Sequence, residues 1–166
     1  MQHYLVHSEG TQPSTPQRWP SQVWLEPWSK PDALQGCDPR SLYAERIWLP
    51  LLGPSALWLA RLFAWKLDAY PDGTWLDLEE TANGLGLSYR AAGPSSMSRT
   101  LARCLQFAVI ERRALNCVAA RRQLPLASTK HLAHLPAATR AEHPTLLSPA
   151  CLRAPLEHAR ILPTHI

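Results

Sequence analysis

The residues from Met97 to Arg122 constrain this chain most. They read M-S-R-T-L-A-R-C-L-Q-F-A-V-I-E-R-R, then a short break, then C-V-A-A-R-R. Met97, Leu101, Cys104 and Leu105 recur at i, i+4, i+7 and i+8, which is one apolar face of a helix. The period then changes. Ala108 to Arg113 and Cys117 to Arg122 read as two short strands, with Ala114-Leu115-Asn116 as the hairpin tip and Asn116 able to take a positive φ. A helix running straight into a hairpin, with arginines on the polar side of both, demands a mainly α domain with a small β-hairpin.

Charge is concentrated on the same stretch. Between Thr81 and Ala141 stand nine basic residues (Arg90, Arg99, Arg103, Arg112, Arg113, Arg121, Arg122, Lys130 and Arg140) against the single acid Glu111, a net +8. The whole chain is only +4, so the remainder, with eight basic and twelve acidic residues, is −4. One basic block on a neutral-to-acidic scaffold suits an anionic partner on one face.

The flanks divide into three parts. Residues 1–36 are rich in Gln, Ser, Pro and Trp without a period and read as a flexible arm. Trp19, Trp24 and Trp28 are costly to leave in water, so they pack back onto the domain or dock on a protein partner. Residues 37–142 form the domain. Asp38-Pro39 starts a helix through Tyr43, Ile47 and Trp48. Pro50 is expected to end or kink it, and Gly53-Pro54 to restart it. Ser55 to Tyr70 is apolar almost all round, which suits a helix buried on more than one side or meeting a second subunit. Pro71-Asp72-Gly73 is a turn, Thr74 to Leu76 a short strand, and Asp77 with Glu80 a capping-box-like helix start. Gly93-Pro94 opens the Met97 helix. Ser128 caps a last helix that Pro136 interrupts, with a further turn to about Glu142. Residues 143–166 read as an irregular tail.

Opposite its apolar face, the Met97 helix presents Ser95, Ser96, Arg99, Ala102, Arg103 and Gln106. Arg99 and Arg103 project together at i, i+4. Arginine bonds guanine O6 and N7 bidentately, and glutamine reads adenine N6 and N7. Ser95 and Ser96, near the helix N-terminus, suit phosphate contacts. Arg112, Arg113, Arg121 and Arg122 on the hairpin suit phosphate neutralisation or minor-groove insertion. Adjacent strand residues point to opposite faces, so only one of each pair can face DNA. Contact with about four to six phosphates gives a log-affinity against log-salt slope of about −4 to −5.

L-G-L-S at Leu85 to Ser88, followed by S-R-T-L-A-R-C-L-Q-F-A-V-I-E-R-R at Ser98 to Arg113, resembles the core of bacterial winged helix-turn-helix regulators of the MarR-like kind. The resemblance covers Asp77 to Leu124. It implies a winged helix-turn-helix with additional N-terminal helices, sequence-specific binding of double-stranded DNA, transcription regulation and dimerisation through flanking helices. The chain departs from the pattern twice. Leu87 to Gly93 is longer than the usual tight turn, and Ala108 stands where such proteins carry glycine, at a cost if its backbone is left-handed.

Other chemistries find little support. Cys37, Cys104, Cys117 and Cys151 form no C-x-x-C pair and no disulfide framework. His131, His134, His143 and Cys151 lack zinc-site spacing, so no metal is expected, and histidines on the surface of a C-terminal helix are the plainer reading. No nucleophile elbow or Gly-rich phosphate loop occurs, so neither an enzyme nor a cofactor is expected. No run reaches the ~18 apolar residues of a membrane span, and residues 1–20 lack a signal-peptide core, which makes cytoplasm the default compartment. The sequence therefore points to a DNA-binding regulator. The alternative is a non-catalytic interaction adaptor on the same domain, since fold alone does not fix function.

Overall fold

The computed structural model describes residues 18–28 and 36–155. Its elements in chain order begin with strands β1 (Gln22–Pro27) and β2 (Gly36–Cys37). A π-helical turn (Ala44–Trp48) runs into helix α1 (Leu49–Leu52), followed by α2 (Pro54–Ala69), β3 (Thr74–Asp77), α3 (Leu78–Gly84) and α4 (Ser96–Gln106). Then come β4 (Ile110–Ala114), β5 (Cys117–Ala120), β6 (Leu124–Pro125), α5 (Thr129–Ala133), α6 (Ala137–Glu142), a 3-10 turn (Thr145–Leu147) and α7 (Pro149–Leu152). Helices and a small mixed sheet share one core. Among the described residues, no helix is long and apolar enough to cross a membrane.

The β part is larger than a hairpin. A four-stranded sheet runs β3-β1-β5-β4, with β1 antiparallel to β3 and parallel to β5. This corrects the reading of residues 1–36 as a flexible arm: residues 22–27 are an interior strand. Val23 and Leu25 alternate into the core at 1% and 0% exposure, as a half-buried strand requires. On the other face, Trp24 lies directly opposite Trp75, their rings edge to face with centroids 5.5 Å apart. Gly73, at φ +114, lets the Trp24 ring pass where a Cβ would come within 2.7 Å of it. The three arm tryptophans thus belong to this domain's own packing, and the rest of the arm lies outside the described residues.

Pro50 shifts the helix instead of ending it. A π-helical turn precedes it, which relieves the clash between the proline ring and the carbonyl one turn back, and the break comes at Gly53 with φ +82. Pro54 then takes the first position of α2, where its missing N–H costs nothing. Helix α2 buries a broad face of Ala56, Leu57, Leu59, Ala60, Phe63, Ala64 and Leu67, yet leaves Trp58 48% exposed, so it is not buried all round.

The β4–β5 turn differs from its expected form. The tip is Leu115-Asn116, a register shift falls between Arg112 and Ala114, and Asn116 does not take a positive φ. An irregularity of this kind puts an extra residue in one strand and bends it locally. Nor are residues 143–155 an irregular tail. Leu146 and Leu152 are buried, the Asp38 N–H donates to the Leu152 carbonyl at 2.8 Å, and His143 Nε2 lies 3.0 Å from the Tyr43 hydroxyl.

Candidate nucleic-acid interface

Helix α4 separates cleanly into two faces. Met97, Thr100, Leu101 and Cys104 are buried, and burial alone pushes the Cys104 thiol up to about 12. Arg99, Ala102, Arg103 and Gln106 are turned to the far side. The helix begins at a capping box. Ser95 Oγ accepts from the Ser98 N–H at 3.1 Å, and Ser98 Oγ accepts from the Ser95 N–H at 2.8 Å.

That geometry removes Ser95 from the predicted phosphate contacts. At 4% exposure it is enclosed by the cap it makes. Ser96 is occupied as well. Its Oγ accepts from the Ser88 N–H at 2.7 Å and lies 3.0 Å from the Ser88 hydroxyl, while the Met97 N–H donates to the Ser88 carbonyl. The long connection between α3 and α4 is therefore closed at its base, and α4 is held against Ser88 despite the extra residues.

Among the described residues, Arg99 has no side-chain hydrogen-bond or ion-pair partner, so its charge is left to solvent. Arg103 is exposed but fixed. Nη2 donates to the Leu51 carbonyl at 2.5 Å, Nη1 lies 3.5 Å from Gln106 Oε1, and the guanidinium lies over the Phe107 ring at 4.7 Å. Phe107 in turn touches Trp48 and His131, so an aromatic nest supports the arginine. His131 is thus half-buried between rings, not on the surface. Beside these side chains lies a groove of about 270 Å³ between α2 and α4, lined by Gly53, Pro54, Ser55, Leu87, Arg99 and Arg103. Three features therefore converge at one place: a free guanidinium, a fixed guanidinium and the N-terminal end of a sixteen-residue helix, where unpaired N–H groups favour negative charge.

The hairpin arginines are placed differently. Arg122 Nη2 donates to the Leu67 carbonyl and sits 3.9 Å from Asp68. Arg113 lies 4.0 Å from Glu26 and 3.5 Å from Glu111. Arg121 Nε donates to the Ala108 carbonyl at 2.8 Å, and its guanidinium covers Trp28 at 4.3 Å. Arg112 donates to the carbonyls of Arg18, Ala114 and Leu115 and covers Trp19 at 4.3 Å, with partial burial lowering its pKa. Arg121 and Arg122 also lie beyond the end of β5, so strand alternation does not govern them. Strand alternation alone would leave one of each pair to face solvent or the body of the domain, whereas contacts with other parts of the chain extend to all four arginines.

Sequence reasoning singled out Trp19 for packing but missed Tyr89, which holds it. The Tyr89 hydroxyl donates to the Trp19 carbonyl at 3.0 Å, tying the α3–α4 connection to the segment beneath Arg112. Three tryptophans in ten residues signalled packing, but nothing in the sequence named their partners. Comparison with family models, curated proteins and solved structures finds no match to this chain.

Proposed function

We propose that this protein binds double-stranded DNA through α4 and acts as a transcriptional regulator on a winged helix-turn-helix. The order α2-β3-α3-α4-β4-β5, helix, strand, two helices and a hairpin, supports that fold reading. The observation that carries the function is the outer face of α4. Arg99, Arg103 and Gln106 stand there on one side of a helix whose other side is core. Arg103 is already held in place, so less ordering entropy is lost when it meets a phosphate or a guanine edge.

With most hairpin arginines occupied, fewer phosphates are contacted than charge counting suggests. The slope of log affinity against log salt is then about −2 to −3. The test is an anisotropy titration with random-sequence duplex DNA across a salt series, for the wild type and for Arg99→Ala with Arg103→Ala. The double change should remove most of that slope, with a melting curve controlling for the lost bond to Leu51. Absence of binding at low salt, or binding indifferent to salt, would overturn the proposal. Selection for a specific site should follow, and Arg99→Ala should relax base preference there at a cost of about 1–3 kcal/mol.

A second reading, an interaction adaptor, has its own observation. Leu42 and Trp58, each nearly half exposed, border a cleft of about 250 Å³ with Trp65 and Pro155. Salt-independent capture of a protein partner that is lost on Trp58→Ala would favour it over DNA binding.

A further inference from the structure

The four hairpin arginines are not equivalent. Arg113 and Arg122 face carboxylates, and Arg121 closes on the Ala108 carbonyl and Trp28. Arg112 is held by three backbone carbonyls and one indole ring, and among the described residues no carboxylate lies within ion-pair distance of it. Carbonyls and an aromatic face fix a guanidinium without cancelling its charge. The platform is itself rigid. Trp19 is 3% exposed, and its carbonyl is held by the Tyr89 hydroxyl at 3.0 Å. The neighbouring residue, Arg18, is exposed and gives its carbonyl to Arg112 at 2.7 Å, which puts the backbone of a second basic residue against the Arg112 guanidinium.

We propose that Trp19 is a positioning residue that mounts Arg112 beside Arg18 as a second contact for duplex backbone phosphate, apart from α4. The segment before β1 then belongs to the nucleic-acid surface as well as to the core. This inference rests on the DNA-binding reading. It adds a site that the net −4 of the chain outside the basic block would hide.

The test uses the full chain and the random-sequence duplex salt series. With these two contacts added to those of α4 the slope steepens to about −4, and Arg112→Ala and Arg18→Ala should each make it shallower by about one. Trp19→Ala should weaken binding as Arg112→Ala does, and Trp19→Phe, which keeps a ring under the guanidinium, should restore it. A purely structural tryptophan would move the melting temperature without moving the slope. Should Trp19→Ala fail to fold, the two arginine changes decide alone. If both leave wild-type slope and affinity while Arg99→Ala lowers them, the inference is overturned and the DNA-binding reading stands. If the wild type itself does not bind duplex, both fall.

Discussion

Helix α4 and the β4–β5 hairpin look alike in sequence, since each is an apolar pattern dressed with arginines. In three dimensions they do opposite things with that charge. On α4, Arg99 meets no side-chain partner among the described residues, and Arg103 is braced at its edge. On the hairpin, Arg112, Arg113, Arg121 and Arg122 reach back to Trp19, Glu26, Trp28 and Asp68. The cause is β1. A helix packed by one face leaves the opposite face to solvent, whereas a hairpin taken up at the edge of a four-stranded sheet has neighbours along its length. A count of basic residues therefore measures potential for anion binding, and topology decides how much of it is available.

The largest effect should come from the strand that makes this difference. Leu25, fully buried in β1, joins the sheet to the core. Leu25→Ala should cost about 3 kcal/mol of stability in urea unfolding. Gln106→Ala, on the outer face of α4, should stay within about 0.5 kcal/mol of wild type. A Leu25→Ala protein as stable as wild type would mean that β1 is dispensable and the hairpin stands alone.

The next test sets one arginine against another. Arg122→Ala leaves the Leu67 carbonyl and Asp68 without their cation and should cost about 1–2 kcal/mol, scaled down because the side chain is 44% exposed. Its affinity for duplex, measured on folded protein, should hardly change. Arg99→Ala should show the reverse, with an unchanged melting curve and weaker binding. If the two behaved alike in both assays, the division between an arginine left to solvent on α4 and one tied into the fold would collapse.

Much of the helical half was legible in the sequence because its signals are local. The Asp77 cap, with its carboxylate accepting from the Glu80 N–H at 2.8 Å, follows from residues three apart. So do the Gly53-Pro54 restart, the Ser128 cap and the apolar stripe of α4, apart from the burial of Thr100 beside Leu101. The sheet was not legible, since pairing β1 with β5 joins residues about ninety positions apart. Gln22 to Pro27 does alternate, but Trp24 and Glu26 on its outer face read as irregular composition until Trp75 and Arg113 stand opposite. For the candidate site, the outward set Arg99, Arg103 and Gln106 could be read from helical spacing. The loss of Ser95 to capping and the internal partners of Arg113, Arg121 and Arg122 could not, because each depends on a contact made in space.

The smallest effect lies at the junction of the two regions and turns on a single residue. Ala108, expected to pay for standing where glycine is usual, has φ +52 and is the one non-glycine residue with positive φ among those described. It ends α4 in a Schellman arrangement: its N–H donates to the Leu105 carbonyl at 3.0 Å, and the Val109 N–H donates to the Cys104 carbonyl at 2.9 Å. Arg121 Nε closes on the Ala108 carbonyl, so the chain leaves the helix in one fixed direction. An L-residue with a Cβ is strained in this conformation, while glycine is not but loses more backbone entropy on folding. Relief of the strain outweighs the lost entropy. Ala108→Gly should raise stability by about 0.5–1 kcal/mol and the melting temperature by about 2–4 °C, with DNA affinity unchanged because the exit path is the same. A fall in melting temperature would show that the methyl group packs between α4 and the hairpin, and that the two regions are more tightly coupled than their separate treatment of charge implies.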